Sequence, residues 1–147
     1  MANLREITLV HASVATTATF AEAAQALSEA RLPALAVLDG ERVVGLFTDR
    51  SLLSGLFPSY LGDLRHTAFL EGDSLLSERA IGVRNEPVTK HMRPPVTLEI
   101  ETSTVHAAER FLHCEEGAVA ILEDKRYVGM LSRSELSNAV LRRLTES

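Results

Sequence analysis

Apolar residues recur along this chain with two periods. Phe20, Ala23, Ala24 and Leu27 fall at i, i+3, i+4 and i+7, the stripe of an amphipathic helix. Thr19, followed three residues later by Glu22, is a capping-box pattern at its start. From Leu35 to Leu38 the apolar residues run together over the length of a strand. Asp39-Gly40 is a hairpin signal, and Val43 to Phe47 reads as the return strand. Thr48 then stands as the N-cap of a second helix through Leu52, Leu53, Leu56 and Phe57, which Pro58 stops. A short strand is expected near Thr8–Val10, ahead of all of these.

The same order returns in the second half. Val105, Ala108 and Leu112 predict a helix, Ala118–Leu122 and Tyr127–Leu131 two strands, and Leu136, Ala139, Val140 and Leu144 a last helix. A short strand near Val96–Leu98 leads in. The chain is therefore an internal repeat. Gly45 and Gly129 align at an offset of 84 residues, and the helical segments from Thr19 and Thr104 at 85, so one residue is expected to be lost between helix and strand in the second copy.

Each copy spans about 50 residues, too few to bury two helices and a sheet alone. Two copies packed together solve that problem. The pattern predicts an α/β (α+β) chain with two small sheets and a shared helical interface, related by a pseudo-twofold. Residues 1–57 form repeat 1, residues 58–91 a partly helical connector and residues 92–147 repeat 2. Helical spacing in the connector falls at Tyr60, Leu61, Leu64, Ala68 and Phe69, and again at Leu75, Leu76 and Ala80 after Asp73-Ser74. Glu86-Pro87 and Arg93-Pro94-Pro95 are extended breakers that deliver the chain into the second copy.

Composition narrows the classes. The 147 residues are 46% hydrophobic, enough for a core and against disorder. No apolar run approaches the ~20 residues that cross a bilayer. With no signal-peptide pattern and a single cysteine, Cys114, the reducing cytosol is the expected compartment. The net charge of −5 and an aromatic content of 5% disfavour a nucleic-acid coat or a base-stacking platform. The charge is uneven: residues 1–73 supply −4 of it and residues 74–147 only −1.

No nucleophile-and-base pair and no P-loop or dinucleotide fingerprint occurs, so no enzyme activity is expected. His106 and His113, seven residues apart with Cys114 following, fall short of the three or four convergent ligands of a metal site. Glu115-Glu116 beside Cys114 disfavours a reactive thiolate.

The duplicated segment, apolar-apolar-Gly-apolar-x-Thr/Ser-x-x-acid-Leu, with the run Val88-Thr-Lys-His-Met-Arg-Pro-Pro-Val-Thr97 leading into the second copy, resembles the cystathionine-β-synthase (CBS) domain as a tandem pair, a Bateman module. The likeness covers nearly the whole chain, although copy one lacks a clear Met-x-x-Pro lead-in. It implies two β-α-β-β-α repeats forming a stand-alone, non-catalytic regulatory module. Such a module would bind an adenosine-containing ligand (AMP, ADP, ATP, NAD or S-adenosylmethionine) between the repeats, without a catalytic cofactor. It would form a homodimer and act on an effector protein.

In that family the Thr/Ser hydroxyl and helix N-terminus face a phosphate, and the acid one turn later clamps the ribose hydroxyls. Here Ser51 replaces the acid in Thr48-Asp-Arg-Ser51, and Glu135 lengthens it in Ser132-Arg-Ser-Glu135. A serine hydroxyl cannot replace a carboxylate that holds two hydroxyls, so the Ser132/Glu135 cleft is expected to bind better than the Thr48/Ser51 cleft. Both motifs are equally plain helix caps. Candidate phosphate contacts are Arg50 and Arg133 beside the motifs, and Arg84, Lys90, His91 and Arg93 in the connector; the same residues also suit a solvated face. With degenerate clefts, the chain would serve instead as a structural dimerisation or protein-interaction module.

Overall fold

A computed structural model describes residues 3–57 and 72–146, with the backbone alone for 72–77. Repeat 1 runs β1 (Ser13–Ala15), α1 (Phe20–Ala30), β2 (Ala34–Asp39), β3 (Arg42–Thr48) and α2 (Asp49–Leu56). Helix α3 (Gly72–Val83) follows, and repeat 2 runs β4 (Thr97–Glu99), α4 (Thr104–Leu112), β5 (Ala118–Glu123), β6 (Arg126–Ser132) and α5 (Arg133–Thr145). Leu75, Leu76 and Ala80 fall within α3, as their spacing predicts. Pro58 and the spacing from Tyr60 to Phe69 lie outside the described residues.

Each repeat folds into a three-stranded sheet, β1-β2-β3 and β4-β5-β6, with the first pair parallel and the second antiparallel. Both hairpins close on two residues. Gly40 takes φ of 66° in the first, and Asp124 and Lys125 take 52° and 68° in the second. Repeat 2 therefore makes its turn in the left-handed region without glycine.

Alternation along β2 and β5 explains their continuous apolar runs. Leu35 and Val37 face the helices of repeat 1, and Val119 and Ile121 those of repeat 2. Ala34, Ala36, Ala118 and Ala120 point the other way and meet in a central layer with Leu46, Tyr127 and Met130. The copies are thus joined through their sheets, not through the helical interface expected from sequence. Small side chains on the two facing strands let the sheets approach, and the helices are left on the outside.

The chain leading into each repeat is built into the other one. Val10 and Met130 exchange backbone hydrogen bonds of 3.0 and 2.8 Å, and Leu46 and Arg93 exchange bonds of 2.9 and 2.7 Å. Short 3-10 turns at Leu4–Glu6 and Val88–Lys90 continue the exchange. Leu4 is buried in the repeat 2 core and Val88 in the repeat 1 core. Copy one's lead-in, which the sequence motif did not reveal, is therefore Leu4–Val10. The strand expected near Thr8–Val10 is only this single bridge at Val10; the paired strand is Ser13–Ala15.

Gly45 and Gly129 lie under these crossings. A Cβ on Gly45 would meet Met92 Sδ at 2.5 Å and the Arg93 carbonyl at 3.0 Å, and one on Gly129 would meet Leu9 Cβ at 2.8 Å. The glycine shared by the two copies is a place where one backbone passes closely over another.

Helix α4 corrects the sequence alignment by one residue. Its N-cap is Ser103, whose hydroxyl accepts the His106 N–H, so it aligns with Thr19 at the same offset of 84 residues as the strands. Ala107 and Phe111 are the buried counterparts of Ala23 and Leu27. The residues chosen by spacing, Val105 and Leu112, are instead 75% and 81% exposed.

Candidate ligand-binding clefts

The strand-to-helix turns β3–α2 and β6–α5 bring both motifs to one end of the sheet pair. Asp49 N–H donates to the Pro33 carbonyl at 2.9 Å, and Arg133 N–H to the Gly117 carbonyl at 2.8 Å. Those two carbonyls lie on loops that themselves touch, since a Cβ on Gly117 would lie 2.8 Å from Pro33 Cγ. The two helix starts are pseudo-equivalent, but their chemistry differs.

At α2 the protein satisfies its own donors. Thr48 Oγ1 accepts the Ser51 N–H at 3.0 Å, Ser51 Oγ accepts the Thr48 N–H at 3.1 Å, and Asp49 Oδ1 accepts the Arg50 N–H at 2.7 Å. Thr48 and Ser51 are both buried. This is a closed capping box, with serine in the place where the family motif carries an acid.

At α5 the cap is only half made. Ser132 Oγ accepts the Glu135 N–H at 3.1 Å and lies 3.2 Å from Ser134 Oγ. Glu135 does not reach back, and its half-buried carboxylate has no hydrogen-bond or ion-pair partner among the described residues. Arg133 stands where Asp49 stands in α2 and cannot accept a backbone N–H.

Two cavities reflect this difference. One of about 560 Å³ is lined by Ser132 at the end of β6, by Arg133 and Ser134 of α5, by Asp49 of α2, and by Pro33 and Glu115 of the loops. Glu135, one turn further along α5, does not line it. A second of about 220 Å³ is lined by Thr48, Asp49, Arg50, Arg93, Glu115 and Glu116. Ligand sites for drug-sized molecules usually span about 300–1,000 Å³, so only the first is large enough for a nucleotide.

Of the connector cations, Arg93 reaches a cleft, and it is the Thr48 cleft. Its Nε donates to Glu116 at 3.2 Å and its Nη2 to Glu115 at 3.3 Å. Arg50 Nη1 donates to the same Glu115 oxygen at 3.3 Å. Lys90 and His91 line neither cavity. Both meet Glu86, at 2.6 and 2.9 Å, and the His91 ring packs on Phe20 with centroids 4.8 Å apart. Their hydrogen bonds, Lys90 first, hold the Glu86 carboxyl below its ordinary value. Arg84 contributes its carbonyl to the Ala21 N–H at the start of α1, 3.1 Å away. Arg133 donates to the Glu116 carbonyl at 3.0 Å and lies over the Phe111 ring.

On the other side of β6, the Tyr127 hydroxyl donates to the Ala12 carbonyl at 2.5 Å, and burial pushes its pKa up to about 12. It locks copy one's lead-in to repeat 2. Among the described residues no group of three or more His, Cys, Asp or Glu side chains is placed to hold a metal ion, and no helix is long and apolar enough to cross a membrane.

Sequence reasoning missed Asp49, Glu115 and Glu116 as cleft residues. The available signal was position: Glu115-Glu116 fall in the helix-to-strand loop of copy two, where copy one carries Arg31-Leu32.

A model of the CBS domain matches residues 5–57 and 88–142. The chain belongs to the CBS domain family, present as a tandem pair. Among solved structures it is similar to the CBS-pair protein CBSX2 of Arabidopsis thaliana, with TM-score 0.77 and 19% identity over 99% of this chain and 98% of that one. It is also similar to a CBS domain-containing protein of unknown function from Kribbella flavida, with TM-score 0.76 and 20% identity over 96% and 99%. CBSX2 in complex with AMP superposes with TM-score 0.70 at 20% identity over 98% and 99%. No curated protein sequence matches.

Proposed function

We propose that this chain is a non-catalytic regulatory module that binds an adenosine-containing ligand between its repeats, at the Ser132/Glu135 end. The asymmetry of the two helix starts carries the reading. One is a closed, buried cap beside a cavity of about 220 Å³; the other is half open, with a carboxylate one turn along that has no partner among the described residues and a cavity of about 560 Å³ at its mouth. The Ser132 hydroxyl and Arg133 line the cavity and, with the α5 N-terminus, suit a phosphate; Glu135, outside that lining, is the acid to which the family likeness assigns the two ribose hydroxyls. The likeness to CBSX2, crystallised with AMP, supports the ligand class. Binding would act by favouring one arrangement of the repeats, which an effector protein then reads.

A thermal-shift panel of AMP, ADP, ATP, NAD and S-adenosylmethionine tests this. At a hundredfold excess over Kd a true ligand adds about 2.7 kcal/mol. Glu135→Ala should abolish the shift, and Ser51→Ala should leave it in place. A flat panel would sink the reading.

A second reading rests on α4 and α5. Their outer faces leave Leu112, Val140, Leu141 and Leu144 exposed around a groove of about 530 Å³. Such a patch suits a protein interface, and a homodimer through it would make the chain an interaction module. A monomer mass in solution that does not change with concentration would count against it.

A further inference from the structure

We propose that Asp49 sets the charge of the ligand this chain accepts: it admits adenosine ligands with one phosphoryl group and turns away di- and triphosphates. The inference deepens the proposed function and rests on it for the seat of the ligand at the α5 end. It starts from a reversal of charge between equivalent positions. Asp49 and Arg133 are the first residues of α2 and α5, related by the repeat. Their N–H groups are tied to the Pro33 and Gly117 carbonyls, on loops that touch. Both residues line the same cavity of about 560 Å³, one as an anion and the other as a cation.

The α5 side provides for one anionic group. Arg133 is the only cation in that lining among the described residues. Its side chain cannot accept a hydrogen bond, so the Ser134 N–H has no partner among the described residues and stays available at the positive end of the helix. The α2 side provides for none. The Arg50 N–H, which corresponds to that of Ser134, is taken by Asp49 Oδ1 at 2.7 Å. The Asp49 and Ser51 N–H groups are bonded to the Pro33 carbonyl and Thr48 Oγ1. What the α2 side offers the cavity is an exposed carboxylate with no ion pair among the described residues. Glu115 adds a second acid to the lining. The arginines that meet it, Arg50 and Arg93, line the smaller cavity and not this one. A second or third phosphate reaching across from Arg133 would therefore find no donor and a like charge, which repels it.

Calorimetric titration of AMP and ATP, at low ionic strength and with divalent ions chelated, tests this. Wild type should bind AMP roughly tenfold more tightly than ATP. Asp49→Asn keeps an acceptor for the Arg50 N–H while removing the charge, and should bring the two nucleotides within about threefold. Asp39→Asn removes the same charge at the exposed hairpin end of β2, away from Thr48, and should leave the wild-type ratio unchanged. ATP bound as tightly as AMP by the wild type, a ratio unmoved by Asp49→Asn, or one moved equally by Asp39→Asn overturns the proposal. AMP and ATP bound alike, and both lost on Glu135→Ala, would remove this inference and leave the α5 reading standing. No binding of either nucleotide by any of these proteins would remove both.

Discussion

Leu46 and Arg93 exchange both of their backbone hydrogen bonds, 2.9 and 2.7 Å, although they belong to different repeats. Val10 and Met130 repeat the arrangement on the other side of the pseudo-twofold. Each repeat therefore lacks a part that only its partner supplies, and the two make one folding unit.

Separated halves should consequently fail to fold. Residues 1–57 alone lose the Val88 anchor of their core, and residues 72–147 alone lose Leu4 and Ile7. Circular dichroism and amide spectra should show each fragment disordered or aggregated and an equimolar mixture folded. Cooperative unfolding of either fragment alone would contradict the swap.

Glycine beneath each crossing should be required, for packing at both sites and also for backbone conformation at Gly129, whose φ is 156°. Gly129→Ala places a Cβ 2.8 Å from Leu9 Cβ, an atom that cannot rotate away. Gly45→Ala presses on the mobile end of Met92 but also on the Arg93 carbonyl. Urea denaturation should show losses of about 1–3 kcal/mol, larger for Gly129. Gly82 in α3 has nothing within 4 Å of its added Cβ, and Gly82→Ala should gain about 0.5–1 kcal/mol.

The two helix starts should separate stability from binding. Ser51→Ala removes the buried acceptor of the Thr48 N–H and should cost about 1–3 kcal/mol. Glu135→Ala removes a carboxylate with no partner among the described residues, and stability should stay within about 0.5 kcal/mol. Denaturation of both variants, run beside the ligand panel, checks this. A Glu135→Ala protein as damaged as Ser51→Ala would make the glutamate a structural cap.

Glu86 should give acid-side pH dependence. Lys90, then His91, holds its carboxyl below the ordinary value of 4.5 in the folded chain. A depressed folded value stabilises above the unfolded value and loses that contribution as pH falls through the folded one. Denaturation midpoints of wild type and Glu86→Gln should therefore differ most above pH 4.5 and converge below it. A difference that stays constant with pH would exclude this linkage.

Much of this molecule is local. The apolar runs Leu35–Leu38 and Ala118–Leu122, the Asp39-Gly40 turn and the Thr19/Glu22 box each reside in a few neighbouring residues, so the elements and the duplication could be read directly. The loss of the acid at Ser51 and its lengthening at Glu135 were legible for the same reason. Helix α4 was misaligned by one residue because Val105, Ala108 and Leu112 are as apolar as Ala107 and Phe111. Spacing cannot choose between two faces when both carry hydrophobic groups. The structure buries the face that carries Ala107 and Phe111, in one cluster with Val119 and Ile121 of β5.

The chain alone thus determined the repeat, its α+β elements and the inequality of its two motifs, because these depend on short-range geometry. Tertiary structure decided the rest. It exchanged the lead-in segments, joined the copies through alanine-lined sheets, kept Arg93 at a cleft and turned Lys90 and His91 to Glu86. It also brought Glu115 between two arginines 65 and 22 residues away in sequence. Those pairings depend on which groups meet across the pseudo-twofold, and no local pattern records that.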